Sequence, residues 1–122
     1  MKFLFSKKDT GKKGEDIACE YLKKLGWHII ERNYHYSRYA EIDIVAKEHD
    51  TLVFVEVKTR STTNFGHPFE AVDKNKLQNI FKAALSYLEK TKEHYTGYRI
   101  DVISVLGIEQ PKIEHLKDIS LN

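Results

Sequence analysis

The chain has 122 residues, 41% of them hydrophobic and 31% charged, with a formal net charge of only +2. That length suits one domain with a single modest core, and no apolar run approaches the ~20 residues of a membrane span. The lone cysteine, Cys19, excludes an internal disulfide and a cysteine-based zinc cluster and fits a reducing, cytoplasmic compartment; the six histidines show no HxxxH-type ligand spacing.

In chain order, residues 1–10 read as a flexible basic lead-in to a single domain over residues 11–122. The "FLF" near the start is too short for the core of a signal peptide. Lys2, Lys7, Lys8, Lys12 and Lys13 stand against Asp9 alone, an excess that suits a solvated tail or contact with phosphate. Ile17, Ala18, Tyr21, Leu22 and Leu25 recur at helical spacing, and Gly26 is a suitable stop. A strand is expected over Trp27–Asn33. "YHYSRY" reads as a loop whose aromatics, interleaved with His35 and Arg38, suit either unpaired bases or cover for an apolar edge or a dimer contact. "AEIDIVAKE" and "TLVFVEVKT" alternate as two strands of a hairpin that turns at His49–Asp50.

"RSTTNFGHP" reads as a loop. Asp73 then caps a long helix with an expected buried stripe of Leu77, Ile80, Phe81, Ala84, Leu85 and Leu88. Lys74, Lys76 and Lys82 read first as its solvated face and second as phosphate contacts. "YRIDVISVL" is a strand on which Arg99 and Asp101 form a structural pair, and "KIEHLKDI" suits an edge strand. The order αβββαβ(β) predicts an α/β fold. Its mixed sheet is a three-strand meander followed by a right-handed crossover helix and a parallel strand, with helices flanking the faces.

Glu56 and Lys58 interrupt the most apolar strand two residues apart, so they share a face. A turn at His49–Asp50 places Asp43 opposite Glu56 and Glu41 opposite Lys58. Directly opposed side chains have β-carbons ~4.5–5.5 Å apart, and like charges there destabilise the pair. Such carboxylates need either a cation between them or a proton on one of them. A hard divalent ion is one solution, because Mg²⁺ is commonly held by one or two carboxylates with waters and a phosphate. Glu15 falls in line with Ala18 and Leu22, on the side of its helix expected to face the protein. The same residues admit a plainer reading. Glu41–Lys58 is then a cross-strand ion pair, Asp43 and Glu56 occupy a solvated strand end beside Arg60 or Arg99, and Glu15 is an ordinary acid of a helix N-terminus. Arg60 likewise suits either phosphate or an internal ion pair.

Together, Gly14–Glu15, Arg32–Asn33, "EIDIV" (41–45), "VFVEVKTR" (53–60), Phe65–Gly66, "EAV" (70–72) and "RIDV" (99–102) resemble the YraN-type family of small bacterial proteins. That family in turn resembles the restriction-endonuclease-like, PD-(D/E)xK superfamily and the archaeal Holliday-junction resolvases. The resemblance implies a metal-dependent DNA endonuclease, or a non-catalytic nucleic-acid-binding module on the same fold, with a homodimer by analogy. It implies that Asp43, Glu56 and the Val57 carbonyl bind Mg²⁺ or Mn²⁺, that Lys58 orients or activates the attacking water, and that Glu15 supports the metal. Lys12, Lys13, Arg38, Arg60 and Lys76 are the expected nucleic-acid contacts. One departure is Ala40, where the family usually has glycine before Glu-Ile-Asp.

Overall fold

The computed structural model describes residues 7–60 and 73–119. Helix α1 (Lys7–Lys24) is followed by strands β1 (His28–Ser37), β2 (Ala40–Glu48) and β3 (Thr51–Arg60). Helix α2 (Lys74–Lys90), β4 (Gly97–Leu106) and β5 (Lys112–Leu116) complete the order. The strands form one sheet, β1-β2-β3-β4-β5, in which β3 and β4 run parallel and the other neighbours antiparallel. The mixed α/β architecture expected from the sequence is the one observed. None of the described helices is long and apolar enough to cross a membrane.

Each helix covers one face. Ala18, Cys19 and Leu22 of α1 pack on Ile44, Ala46, Val53, Val55, Ile103 and Val105. Leu77, Ile80, Ala83 and Ala84 of α2 pack on Ile42, Val45, Leu52, Phe54 and Ile100. The alternation of β3 explains this division: 53, 55 and 57 face α1, and 52 and 54 face α2. Helix α1 ends where Gly26 adopts φ +90, with Trp27 N–H donating to Leu22 O and Gly26 N–H to Lys23 O, a Schellman closure. Asp73 caps α2 by accepting from Lys76 N–H at 2.8 Å.

Several local expectations are corrected. Helix α1 begins at Lys7, so the end of the stretch read as a lead-in is helical; residues 1–6 lie outside the described residues. "YHYSRY" is not a loop throughout, because β1 runs to Ser37 and only Arg38–Tyr39 turn. Leu25 and Leu85 are each 50% exposed and leave the apolar stripes to which spacing assigned them. Leu25 lies past the end of α1, and Ser86 takes the inward place beside Leu85, accepting or donating a 2.9 Å hydrogen bond with Tyr34 Oη. The segment "STTNFGHPFEAV" (61–72), including Phe65–Gly66, lies outside the described residues.

Candidate metal and phosphate site at the β2–β3 fork

The hairpin turns at His49–Asp50, with His49 at φ 53, and the register is the expected one from Glu48↔Thr51 to Ile44↔Val55. There the paired register ends. Val57 N–H, which a longer ladder would direct to Ile42, instead donates to Asp43 Oδ2 at 2.7 Å. The Asp43 carboxyl therefore replaces a backbone acceptor, and β2 and β3 part as a fork. In an extended strand the carbonyl of a residue leaves by the same edge as its N–H, so the Val57 carbonyl also faces the fork.

A change of face brings Asp43 there. Arg32 and Ile44 lie on the α1 side, whereas Tyr34 and Ile42 lie on the α2 side. Regular strands would keep each pair on one face. Between Arg32 and Tyr34, Asn33 takes the left-handed region at φ 54, which asparagine tolerates better than most residues. Asp43 stands at the same level of β2 and meets groups from both layers.

Glu56 follows Asp43 into the fork and is only 6% exposed. Burial pushes the Asp43 carboxyl up to about 8, and hydrogen bonding and charge repulsion from Glu56 add to it. The Asp43 carboxyl thus keeps its proton well above the ordinary carboxylate range, beside Glu56. Glu15, midway along α1 and not at its N-terminus as the plainer reading had it, is also raised, first by burial and then by the Asp43 charge. Gly14 permits this approach: a Cβ there would overlap Thr59 Oγ1 and stand 2.8 Å from Thr59 Cβ. Arg32 Nη2 lies 3.4 Å from Glu15 Oε1 and Nη1 2.8 Å from Asp16 Oδ1. With its amide nitrogen turned to the acids, Asn33 donates to Glu15 Oε1 at 3.2 Å and Glu41 Oε1 at 3.1 Å.

Two lysines face the carboxylates. Lys58 is half-buried, and burial followed by the neighbouring Lys76 lowers its pKa. Lys76 Nζ lies 3.6 Å from Glu56 Oε2; burial alone would lower its pKa, but Glu56, Lys58 and Asp43 together outweigh that and raise it. Lys76 therefore belongs to the acid cluster and not to a solvated face. Its spacing carried a signal, since residues 76, 80, 83 and 87 follow one side of α2. Arg32 and Asn33, to which the sequence reading gave no role, hold Glu15.

Other expectations resolve differently. Glu41 is not paired with Lys58; it sits across from His35, 3.9 Å from its Nε2, and takes the Asn33 amide. The ladder ends before the 41/58 level, which removes that pairing. Arg99 is engaged at the other end of the sheet, as expected, with Asp101 at 2.9 Å and also with Glu48 at 2.6 Å. Lys12 and Lys13 are exposed on α1 just before Gly14, Arg38 is exposed at the β1–β2 turn, and Arg60 ends β3. These four lie at the same end of the sheet as the fork.

Among the described residues no three His, Cys, Asp or Glu side chains are grouped to hold a metal ion. Asp43 and Glu56 supply two hard oxygen donors, and a buried carboxyl raised by its acidic neighbour gains by accepting a cation. That set fits Mg²⁺ or Mn²⁺ completed by waters and a phosphate.

Residues 14–105 match the family described as "Uncharacterised protein family UPF0102". The chain is 44% identical to a UPF0102 protein of Syntrophomonas wolfei over 110 residues, covering 89% of this chain and 95% of that protein. It is 50% identical to one of Chlorobium phaeobacteroides over 96 residues, 79% and 75% of the two chains. With one of Paenarthrobacter aurescens it shares 40% over 121 residues, 98% and 99% of the two. The fork, its acids and both lysines all fall within the matched segment, and the chain belongs to the UPF0102 family.

Proposed function

We propose that the chain is a metal-dependent DNA endonuclease of the restriction-endonuclease-like, PD-(D/E)xK type. One observation carries this reading: the unpaired end of the β2–β3 hairpin gathers Asp43, Glu56, Lys58 and Lys76, where burial and Glu56 raise the Asp43 carboxyl. Element order and the position of the acids at a hairpin end support the superfamily assignment by analogy.

Asp43, Glu56 and the Val57 carbonyl would hold Mg²⁺ or Mn²⁺, which when bound supplies Lewis acidity and a water of low pKa. The chain's own groups do the rest. Lys58, with its pKa lowered, accepts a proton from the attacking water or holds that water in line. Glu15 orients waters from the α1 side, fixed by Arg32 and Asn33. Val57 N–H keeps Asp43 aimed into the fork. Lys12, Lys13 and Arg60 border the site as phosphate contacts. Arg38 stands 6.0 Å from the ring centroid of Tyr39, which is 75% exposed beside the 52%-exposed Tyr36. Such a hairpin tip suits unpaired bases, so branched or single-stranded DNA is the favoured substrate class.

A second reading, a non-catalytic nucleic-acid-binding module, is favoured by the contact of Lys76 with Glu56, which balances charge without a metal. The separating experiment incubates the protein with four-way-junction, flap, single-stranded and duplex DNA and with RNA, in Mg²⁺, Mn²⁺ or chelator. Metal-dependent cleavage lost in Asp43→Asn supports the enzyme. A salt-sensitive gel shift without cleavage selects the binding module.

A further inference from the structure

We infer that Lys76 is a resident counter-ion of the metal-free fork, displaced by a divalent cation and then turned to a phosphodiester at the same mouth. The inference rests on the metal-site reading above and deepens it.

Lys76 and Glu56 differ in depth. The Glu56 side chain is 7% exposed and that of Lys76 43%, so a buried acid is in contact with a lysine that also reaches solvent. Their 3.6 Å separation makes a charge contact without a tight hydrogen bond. A cation that reaches Glu56 must share the ammonium's position, and two cations there repel. The Lys76 backbone does not yield, because its N–H is held by Asp73 and the following turn is anchored by buried Leu77 and Ile80. What yields is the flexible four-carbon stem. A displaced ammonium on that stem remains beside the fork, where it complements an anion brought with the metal. Lys58 does not take this place, since its stem starts on β3 inside the fork, whereas that of Lys76 comes from α2. Lys76 is thus a positioning residue before metal entry and a phosphate contact after it.

Calorimetric titration of the wild type, Lys76→Met and Lys76→Arg with Mn²⁺, without nucleic acid, tests the first half. Lys76→Met should bind the ion roughly 5–150-fold more tightly, the usual range for coupled sites, whereas Lys76→Arg should resemble the wild type. Equal uptake by all three overturns the counter-ion role and leaves the metal site standing. Absence of uptake by all three overturns both. Fluorescence anisotropy with a single-stranded oligonucleotide tests the second half. Lys76→Met should lose affinity in Ca²⁺, which shares the oxygen preference, and match the wild type in EDTA; equal affinity in Ca²⁺ overturns the transfer to phosphate. Wild-type melting curves certify the variants' folding, and Lys76→Gln serves if Lys76→Met melts early.

Discussion

Asp43 accepts the backbone N–H of Val57 at 2.7 Å, one step beyond the last paired residues of the hairpin. A side chain in place of a main-chain partner ends the ladder without leaving a buried donor unsatisfied. The same contact holds Asp43 in the fork beside Glu56, whose hydrogen bonding and charge add to the burial that raises it.

Its clearest consequence is a pH dependence of the metal-free protein. The Asp43 carboxyl is raised from 3.8 to about 8. Between those values the folded chain keeps a proton that the unfolded chain has released. Stability from this group is complete below about pH 4 and is lost as pH rises toward 8, by at most about 1.4 kcal/mol per unit for one proton. Melting temperatures in chelator should fall across this window for the wild type and stay level for Asp43→Asn. Added Mg²⁺ should raise the wild-type value at pH 8 and leave the variant unmoved.

Lys58→Met should keep the fold, because the side chain is only half-buried and lies outside both apolar clusters. Cleavage should fall by roughly 10²–10⁴-fold, the usual contribution of a positioned acid–base group. The loss should appear in kcat with KM little changed, as measured under saturating metal. A tenfold or greater rise in KM at constant kcat would instead assign Lys58 to substrate binding.

Asp101 tests the fold away from the fork. It is fully buried, and burial alone would raise its pKa, but donors from His115, Arg99 and the Asp118 N–H hold it below 3.8. His115 bridges two neighbours, with Nε2 2.8 Å from Asp101 Oδ2 and Nδ1 2.9 Å from Tyr21 Oη. Asp101→Ala removes the shared acceptor of Arg99 Nε, His115 Nε2 and the Asp118 N–H, with Glu48 left as the partner of Arg99, and should cost about 3–5 kcal/mol in denaturant unfolding at pH 7. Because the folded pKa is depressed, this advantage is present above 3.8 and fades as pH falls through the lower folded value. The gap between wild type and variant should therefore narrow in acid.

Gly14→Ala reverses the usual rule for helices. Alanine inside a helix is normally better than glycine by about 0.8–1 kcal/mol. Here the new Cβ collides with Thr59, and overpacking of this kind costs about 1–3 kcal/mol. Thermal unfolding should show a net loss, together with weaker Mn²⁺ uptake as Glu15 is pushed away. A gain in stability would show that α1 and β3 separate freely.

Much of the architecture was legible because burial imposes periodicity. Runs such as "TLVFV" and the spacing of Leu77, Ile80 and Ala84 announce a strand and a helix, and the turn at His49–Asp50 gives the hairpin register. Errors fell where one residue departs from its pattern. The extension of β1 through "YHYS" hides in a polar edge strand, whose outward positions carry no apolar signal. The loss of the Glu41–Lys58 pairing follows from the Asp43 side chain ending the ladder, an event no alternation pattern encodes.

By itself the sequence determined the element order, the two apolar helix faces and the shared face of Glu56 and Lys58, because those depend on local spacing. It also marked Asp43 as the acid facing Glu56, through register. Only the tertiary structure decided that Asn33 turns the strands at that level, that Arg32 and Asn33 hold Glu15, and that Lys76 reaches Glu56. Those contacts join residues far apart in the chain, and their energies depend on burial and distance, which exist only once both helices are packed on the sheet.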